Sequence, residues 1–324
     1  DQHFSVICGM DHPGDLVLTP DRDFFIAPQF GGVAPFVSPE NRHTGKLSLV
    51  SVAEETAQDL EIKFSDNTWG DGRCEWSQDK LMEPHGIDLV QRTDGDYQLA
   101  VVNHYSGDSI EMFELISADP TWILVWRGCV RVPEVYYLND ISLSEDGSLY
   151  VSHMYRPDFT IFDLRLLELF KYDTGFVMRW DPEHGFGQVP GSEGANPSGL
   201  IYDSENLLLY VAHTSGDRID VLDMAKRTIL ETFPLNSPDN LIMKDGYIWA
   251  TSRDHELLDT TLCEEFFPCA LPFSVYQLEQ INLELINKWS FNHTSMGMPT
   301  VAHPLEGRVW LGGAHSDRIA SFPQ

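Results

Sequence analysis

The chain has 324 residues, 42% hydrophobic and 22% charged, with 50 acidic against 21 basic side chains and a formal net charge of −29. No apolar run approaches the roughly 18 residues of a membrane span, and so acidic a surface repels nucleic acid and anionic lipid. The expectation is a soluble, monomeric globular protein acting on a small molecule.

The chain starts at Asp1 rather than Met. This is expected of a secreted or periplasmic protein whose leader has been removed. Five cysteines occur, Cys8, Cys74, Cys129, Cys263 and Cys269, with no CxxC pair, which argues against structural zinc. An odd count permits two disulfides and one thiol. Cys74 with Cys129, and Cys263 with Cys269, are the expected pairs, and they lean towards an oxidising compartment.

In chain order, Phe4 to Ile7 is an apolar strand able to pair beside Arg318 to Phe322. Val101-Val102-Asn103-His104 leads through a polar turn at Asp108 to a second strand at Ile110. The same arrangement returns at Val211-Ala212-His213 with Asp217, and at Leu311-Gly312-Gly313 with Asp317, so the aligned aspartates lie 109 and 100 positions apart. Each gap fits two units of roughly 50 residues. Asp146-Gly147, Asp245-Gly246 and Glu306-Gly307 each precede a β-rich strand, and Gly there suits a tight hairpin because it accepts positive φ. Only Phe162 to Phe170 reads as a short helix or excursion. Strands at intervals of roughly 8–12 residues signal an all-β protein. The predicted fold is a six-bladed β-propeller, one domain over residues 1–324, with a central tunnel and a ring closed by the N-terminal strand.

In such a ring the start of each inner strand faces the tunnel mouth, where ligands sit. Those starts are Pro13-Gly14-Asp15, Pro84-His85-Gly86-Ile87, Leu138-Asn139-Asp140-Ile141, Asn196-Pro197-Ser198-Gly199, Pro238-Asp239-Asn240 and Met298-Pro299-Thr300. Most carry side-chain oxygen. Taken singly, each Asn or Asp suits a strand entry that bonds local backbone; repeated at equivalent positions, the set suits a calcium ion.

The segments Pro84-His85-Gly86-Ile87, Val101-Val102-Asn103-His104, Ile110 to Leu115 and Leu138-Asn139-Asp140-Ile141, with Asp239-Asn240 further on, resemble in order and spacing the paraoxonase/arylesterase and gluconolactonase families. Wider relatives include diisopropylfluorophosphatase and strictosidine-synthase-like propellers. The resemblance implies two calcium ions in the tunnel. Asp15, Asp140 and the Ile87 carbonyl would hold a buried structural ion. Asn139, Asp239 and Asn240 would hold a catalytic one, and His85 with His104 would activate water. Two positions depart from the family's pattern: Gly14 stands where a Glu is usual, and Ser198 where an Asn is usual, with Asn196 two residues earlier. The family's C-terminal cysteine is also missing, which leaves Cys8 without its usual partner.

The leading reading is a calcium-dependent hydrolase of lactones or esters. The ion would polarise a carbonyl and His85, oriented by His104, would draw a proton from water. Asn196, Ser198, His153 and Thr300 are candidates for the substrate pocket. So are aromatics near the loops, namely Trp69, Trp76, Tyr105, Tyr155, Phe266 and Phe267. The rival is a propeller that has lost the catalytic ion and performs cyclisation, rearrangement or condensation, and a third reading is a non-catalytic binding propeller. The long stretches Gln29 to Lys46, Asp66 to Glu83 and Arg253 to Phe273 are expected to shape specificity. No GxSxG elbow, HExxH, Walker loop or GxGxxG occurs.

Overall fold

Asp245 and Gly246 (φ 52° and 80°) and Glu306 and Gly307 (52° and 75°) adopt left-handed backbone, which lets a two-residue hairpin follow the twist of its strands. Repetition of such turns folds the chain into six sheets in this computed structural model, which describes residues 4–30, 44–72, 74, 81–255, 259, 268–292 and 294–324. The N-terminal strand β1 (Ser5–Cys8) is set aside for the last sheet. Blade one is β2 (Val17–Leu18), β3 (Phe24–Gln29), β4 (Lys46–Ser51) and β5 (Thr56–Asp59). Blade two runs through β7 (Pro84–Gln91), β8 (Tyr97–Asn103), β9 (Ser109–Ala118) and β10 (Thr121–Arg131), and β6 (Ile62–Phe64) adds a parallel fifth strand at its outer edge. Blade three is β11 (Leu138–Leu143), β12 (Leu149–His153), β13 (Phe176–Asp181) and β14 (Gly185–Gln188). Blades four and five are β15 (Pro197–Asp203) to β18 (Thr228–Pro234) and β19 (Pro238–Lys244) to β22 (Leu285–Phe291).

Blade six is β23 (Pro299–Leu305), β24 (Arg308–Gly313) and β25 (Arg318–Pro323), completed by β1. β1 pairs antiparallel with β25, Val6 opposite Ala320 and Ile7 opposite Ile319. The ring is therefore closed by the N-terminal strand, as the apolar run at Phe4 to Ile7 predicts. Ile7 is buried with Leu16, Phe25 and Trp310, a contact stabilising closure by roughly 2 kcal/mol. Cys8 at the end of β1 is exposed and free.

The apolar core lies between blades rather than on the axis. Leu47 and Leu49 of blade one pack with Leu99 and Phe113 of blade two, and Tyr210 and Val221 of blade four pack with Ile248 and Leu278 of blade five. Sheets stacked face to face consume the apolar side chains and leave the inner strand ends free to be polar. Cys74 and Cys129 are joined by a disulfide, Cα atoms 5.5 Å apart, which ties the segment after β6 to the long strand β10 and suits an oxidising compartment. Cys263 lies outside the described residues.

Among the described residues one helix departs from the β pattern: α1 (Ile161–Phe170), between β12 and β13. Thr160 caps it: its hydroxyl accepts from the Asp163 amide while the Asp163 carboxylate accepts from the Thr160 amide at 2.8 Å. This is a capping box with Asp in the reciprocal position. Lys171 ends the helix in left-handed backbone (φ 50°). Leu164 and Leu167 are buried with Tyr137 and Tyr155, which seats α1 on blade three beside the tunnel mouth. No helix among the described residues is long and apolar enough to cross a membrane.

Candidate active site at the tunnel mouth

Each inner strand from blade two to blade six breaks its ladder at the same place. The register shifts between Pro84 and Ile87, Leu138 and Ile141, Pro197 and Leu200, Pro238 and Leu241, and Pro299 and Val301. A bulge re-aims the residues it contains. Here it releases His85-Gly86, Asn139-Asp140, Ser198-Gly199, Asp239-Asn240 and Thr300 from pairing, and His85, Asn139, Ser198, Asp239, Asn240 and Thr300 line one cavity on the axis. Neighbouring bulges interlock. A Cβ on Gly86 would sit 2.5 Å from the Asn139 carbonyl, and one on Gly199 would sit 2.5 Å from the Asp239 carbonyl. Glycine in blades two and four therefore admits the paired oxygen-bearing residues of blades three and five.

In blades two to five one bulge residue is held by the residue that follows the last ladder partner on the second strand of its own blade. His85 Nδ1 lies 3.1 Å from His104 Nε2. Asn139 Nδ2 donates to Met154 Sδ at 3.2 Å. The Thr214 hydroxyl lies 2.7 Å from both the Ser198 hydroxyl and the Pro238 carbonyl. Arg253 donates through Nη2 to Asp239 Oδ2 at 2.6 Å. In blade six the equivalent Ala314 has no polar atom, and Thr300 instead donates to the Gly14 carbonyl at 2.6 Å.

The histidine pair extends to a third group. His104 Nδ1 lies 2.8 Å from Asp108 Oδ1, and Asp108 Oδ2 accepts from the Leu138 amide at 2.7 Å. An ionised carboxylate only accepts hydrogen bonds, so His104 carries its hydrogen on Nδ1 and accepts on Nε2. His85 must then carry its hydrogen on Nδ1, which leaves the Nε2 lone pair free for the cavity. Phe30 stacks on the His85 ring, centroids 4.5 Å apart and planes 4° from parallel. Burial, reinforced by His104, holds His85 well below the usual imidazole range. Asn103, just before His104, steadies the corner: its Oδ1 accepts from the Glu83 amide at 2.9 Å and the Tyr105 amide at 3.2 Å.

Deeper in the tunnel, Asp15 and Asp140 are each only 4% exposed. Asp15 accepts from the Leu16 amide and, across blades, from the Ile87 amide (2.8 and 2.9 Å). Asp140 accepts from the Ile141 amide and, across blades, from the Leu200 amide (2.8 and 2.9 Å). Burial pushes both carboxyls up, and the neighbouring Asp15 charge pushes Asp140 further. Among the described residues no ion pair joins either to a Lys or Arg. Two buried carboxylates without a basic partner suit a hard cation, which would relieve both burial and mutual repulsion. The donors present therefore fit the inner calcium.

They do not fit the outer one. Asp239 is the only carboxylate among Asn139, Asp239 and Asn240, and Arg253 already balances its charge. Burial raises the Asp239 carboxyl and Arg253 opposes that rise. The Ser198 hydroxyl is engaged with Thr214 in the wall, and the Gly14 carbonyl takes Thr300 and, more weakly, Asn240 Nδ2 at 3.4 Å. Of the three expected ligands a divalent ion would meet one carboxylate, already paired with a guanidinium, whereas calcium affinity follows ligand charge. No group of three or more His, Cys, Asp or Glu suited to a metal occurs among the described residues.

Of the pocket candidates, Asn196, Ser198 and Thr300 line the cavity, with Tyr155. His153 does not. It is the last ladder residue of β12, one position before Met154, and its ring turns towards Tyr136 and Phe176 while Nδ1 takes the Tyr137 amide at 3.1 Å. Trp69 also lies elsewhere, under the Arg92 guanidinium at 4.6 Å near the hairpin at the other end of blade two. Trp76, Phe266 and Phe267 lie outside the described residues, as does much of the three long stretches. Asp108, Met154, Thr214 and Arg253 escape the sequence reading as site residues. The signal for the last three is the alignment of Asn103-His104, His153-Met154, His213-Thr214, Ser252-Arg253 and Gly313-Ala314 at one blade position.

The architecture recurs in known structures. A gluconolactonase from Xanthomonas campestris superposes with TM-score 0.55 at 13% identity, over 99% of this chain and 89% of its own. A luciferin-regenerating enzyme does so with TM-score 0.56 at 11% identity, over 99% and 95%. A putative gluconolactonase gives 0.53 at 13%, over 99% and 91%. Identities this low speak for the shared propeller fold alone. No curated protein matches the chain in sequence. The arylesterase family model matches residues 11–257, a stretch that takes in both histidines, the inner carboxylates and Asp239 with Arg253. Over more than half its length the chain carries the arylesterase pattern, and it belongs to the arylesterase family.

Proposed function

We propose that the protein hydrolyses an ester or lactone of a small molecule at the tunnel mouth, with His85 as the base. Water between His85 Nε2 and the carbonyl carbon gives its proton to Nε2 as its oxygen bonds that carbon. The proton then passes from Nε2 to the departing alkoxide as the C–O bond breaks. The positive charge formed on His85 is shared through His104 with the Asp108 carboxylate, the logic of a base oriented by a third group. The observation that carries this reading is the Asp108–His104–His85 chain, which leaves one imidazole lone pair facing the cavity.

Asp15, Asp140 and the Ile87 carbonyl would hold a calcium ion that neutralises the buried carboxylates and pins the inner strands. The acidic surface and the Cys74–Cys129 disulfide suit a secreted or periplasmic setting. The Asp239–Arg253 pair also favours a second reading, in which the same base serves cyclisation, rearrangement or condensation. Turnover of an ester and lactone panel in ¹⁸O-water separates the two. Label in the acid product, lost in His85→Gln, is expected. Turnover without label favours the second reading, and turnover that survives His85→Gln overturns the role of the base.

A further inference from the structure

We infer that Arg253 takes the place of a metal ion at the outer end of the tunnel, its guanidinium supplying the positive charge that meets the substrate's carbonyl oxygen. The inference rests on the hydrolytic reading above for its chemistry, and on the charge of the site for its metal content.

Four observations carry it. Arg253 ends β20 (Tyr247–Arg253), so it stands where His104, Met154 and Thr214 stand in their blades, each clamping a bulge residue. It is the only one of these four with a fixed positive charge. Its Nη2 is taken by Asp239, which anchors the group in one orientation. Its Nε is buried and has no hydrogen-bond partner among the described residues, and neither has Asn196 Oδ1 on the same cavity. A buried donor and a buried acceptor left without partners, on two residues that line the same cavity, are costly unless a small shift on ligand binding completes them.

The departures from the family's pattern then fall into one change. Gly14 removes a carboxylate, Ser198 turns its hydroxyl to Thr214, and the one carboxylate left among the pattern's outer ligands, Asp239, is paired with a guanidinium from within the chain. A guanidinium is planar, permanently charged and rich in donors, so it can stabilise a developing oxyanion without a metal. Its donors are oriented before substrate arrives, as such stabilisation requires.

The test is a count of calcium on the wild type and on Arg253→Gln, by equilibrium dialysis at about 1 mM calcium, the weak end of the range for extracellular modules. The expected result is one ion on the wild type, at Asp15 and Asp140, and a second on Arg253→Gln, where Asp239 is released. A second ion on the wild type overturns the inference, as does an Arg253→Gln chain that stays at one. With no ion on the wild type the inner site is removed, and one ion gained by Arg253→Gln then supports the inference whereas none gained overturns it. Circular dichroism confirms that the variant is folded, and Asp239→Asn/Arg253→Gln supplies a neutral pair should the single variant misfold; it is expected to bind no second ion. In the hydrolytic assay Arg253→Gln should lose about 10²-fold in kcat with little change in KM, and Arg253→Lys should recover part of it. An unchanged kcat would overturn the electrophilic role.

Discussion

The two ends of the tunnel solve the same electrostatic problem in opposite ways. At the inner end Asp15 and Asp140 are buried, tied to backbone amides and without a basic partner among the described residues, so a cation from outside or a proton would relieve them. At the outer end Asp239 receives its cation from the chain itself, through Arg253. Both ends are built from the same bulged inner strands. The outer end takes its cation from a single residue one strand away, Arg253, at the position where blade three places Met154. On the proposed reading the same strands serve a metal at one end of the tunnel and a side chain at the other.

The sharpest way to break the comparison is to remove the base that both readings of the mouth share. His85→Gln keeps the size of the ring site and is expected to lower kcat by about 10³-fold, with the melting temperature little changed. Loss of folding alone would be seen as a lower melting temperature with the specific activity of the folded fraction intact. The inner end has its own signature in acid. His303, on the inner cavity and stacked edge-on against Phe25 at 5.0 Å, is held by burial at about 4, with Lys244 and Arg22 pushing the same way. The unfolded chain takes up that proton near pH 6.5 and the folded chain does not, so stability falls as pH drops from 6.5 to 4. The loss from this group is ~3 kcal/mol. Urea unfolding of His303→Gln across that window should show a flatter acid slope.

Calcium should stabilise the wild type by ~2.7 kcal/mol at a hundredfold excess over Kd, seen as a higher melting temperature, and should not do so for Asp140→Asn. An equal shift in both would place the ion elsewhere. The smallest expected effect lies one step behind the base. Asp108→Asn offers His104 Nδ1 an amide in place of a carboxylate and should cost ~30-fold in kcat, below the cost of removing the base itself. An unchanged kcat would mean that His85 works without the relay.

The fold is legible from the sequence because a propeller is periodic. Aligned Asp108, Asp217 and Asp317 mark the second hairpins of blades two, four and six, the turns at Gly147, Gly246 and Gly307 mark the first hairpins of blades three, five and six, and the closing strand announces itself as the apolar run before Cys8. The bulge residues are legible for the same reason, since Pro-His-Gly, Asn-Asp and Asp-Asn recur where inner strands begin. What each of them touches is not, because that depends on the next strand of the same blade, some 14–20 residues further on. The His85–His104 pair is anticipated through the family's pattern, whereas Arg253 on Asp239 and Met154 on Asn139 are contacts that no local spacing encodes. His153 illustrates the cost of one position: on a strand whose side chains alternate, the residue before Met154 turns into the blade wall.

A crystal structure of the protein grown with about 1 mM calcium, with the ion identified from its anomalous signal, tests the central claim most directly. One ion between Asp15, Asp140 and the Ile87 carbonyl, with Arg253 still paired to Asp239, is the predicted result. An ion bound by Asp239 and Asn240, with the guanidinium displaced, would contradict it.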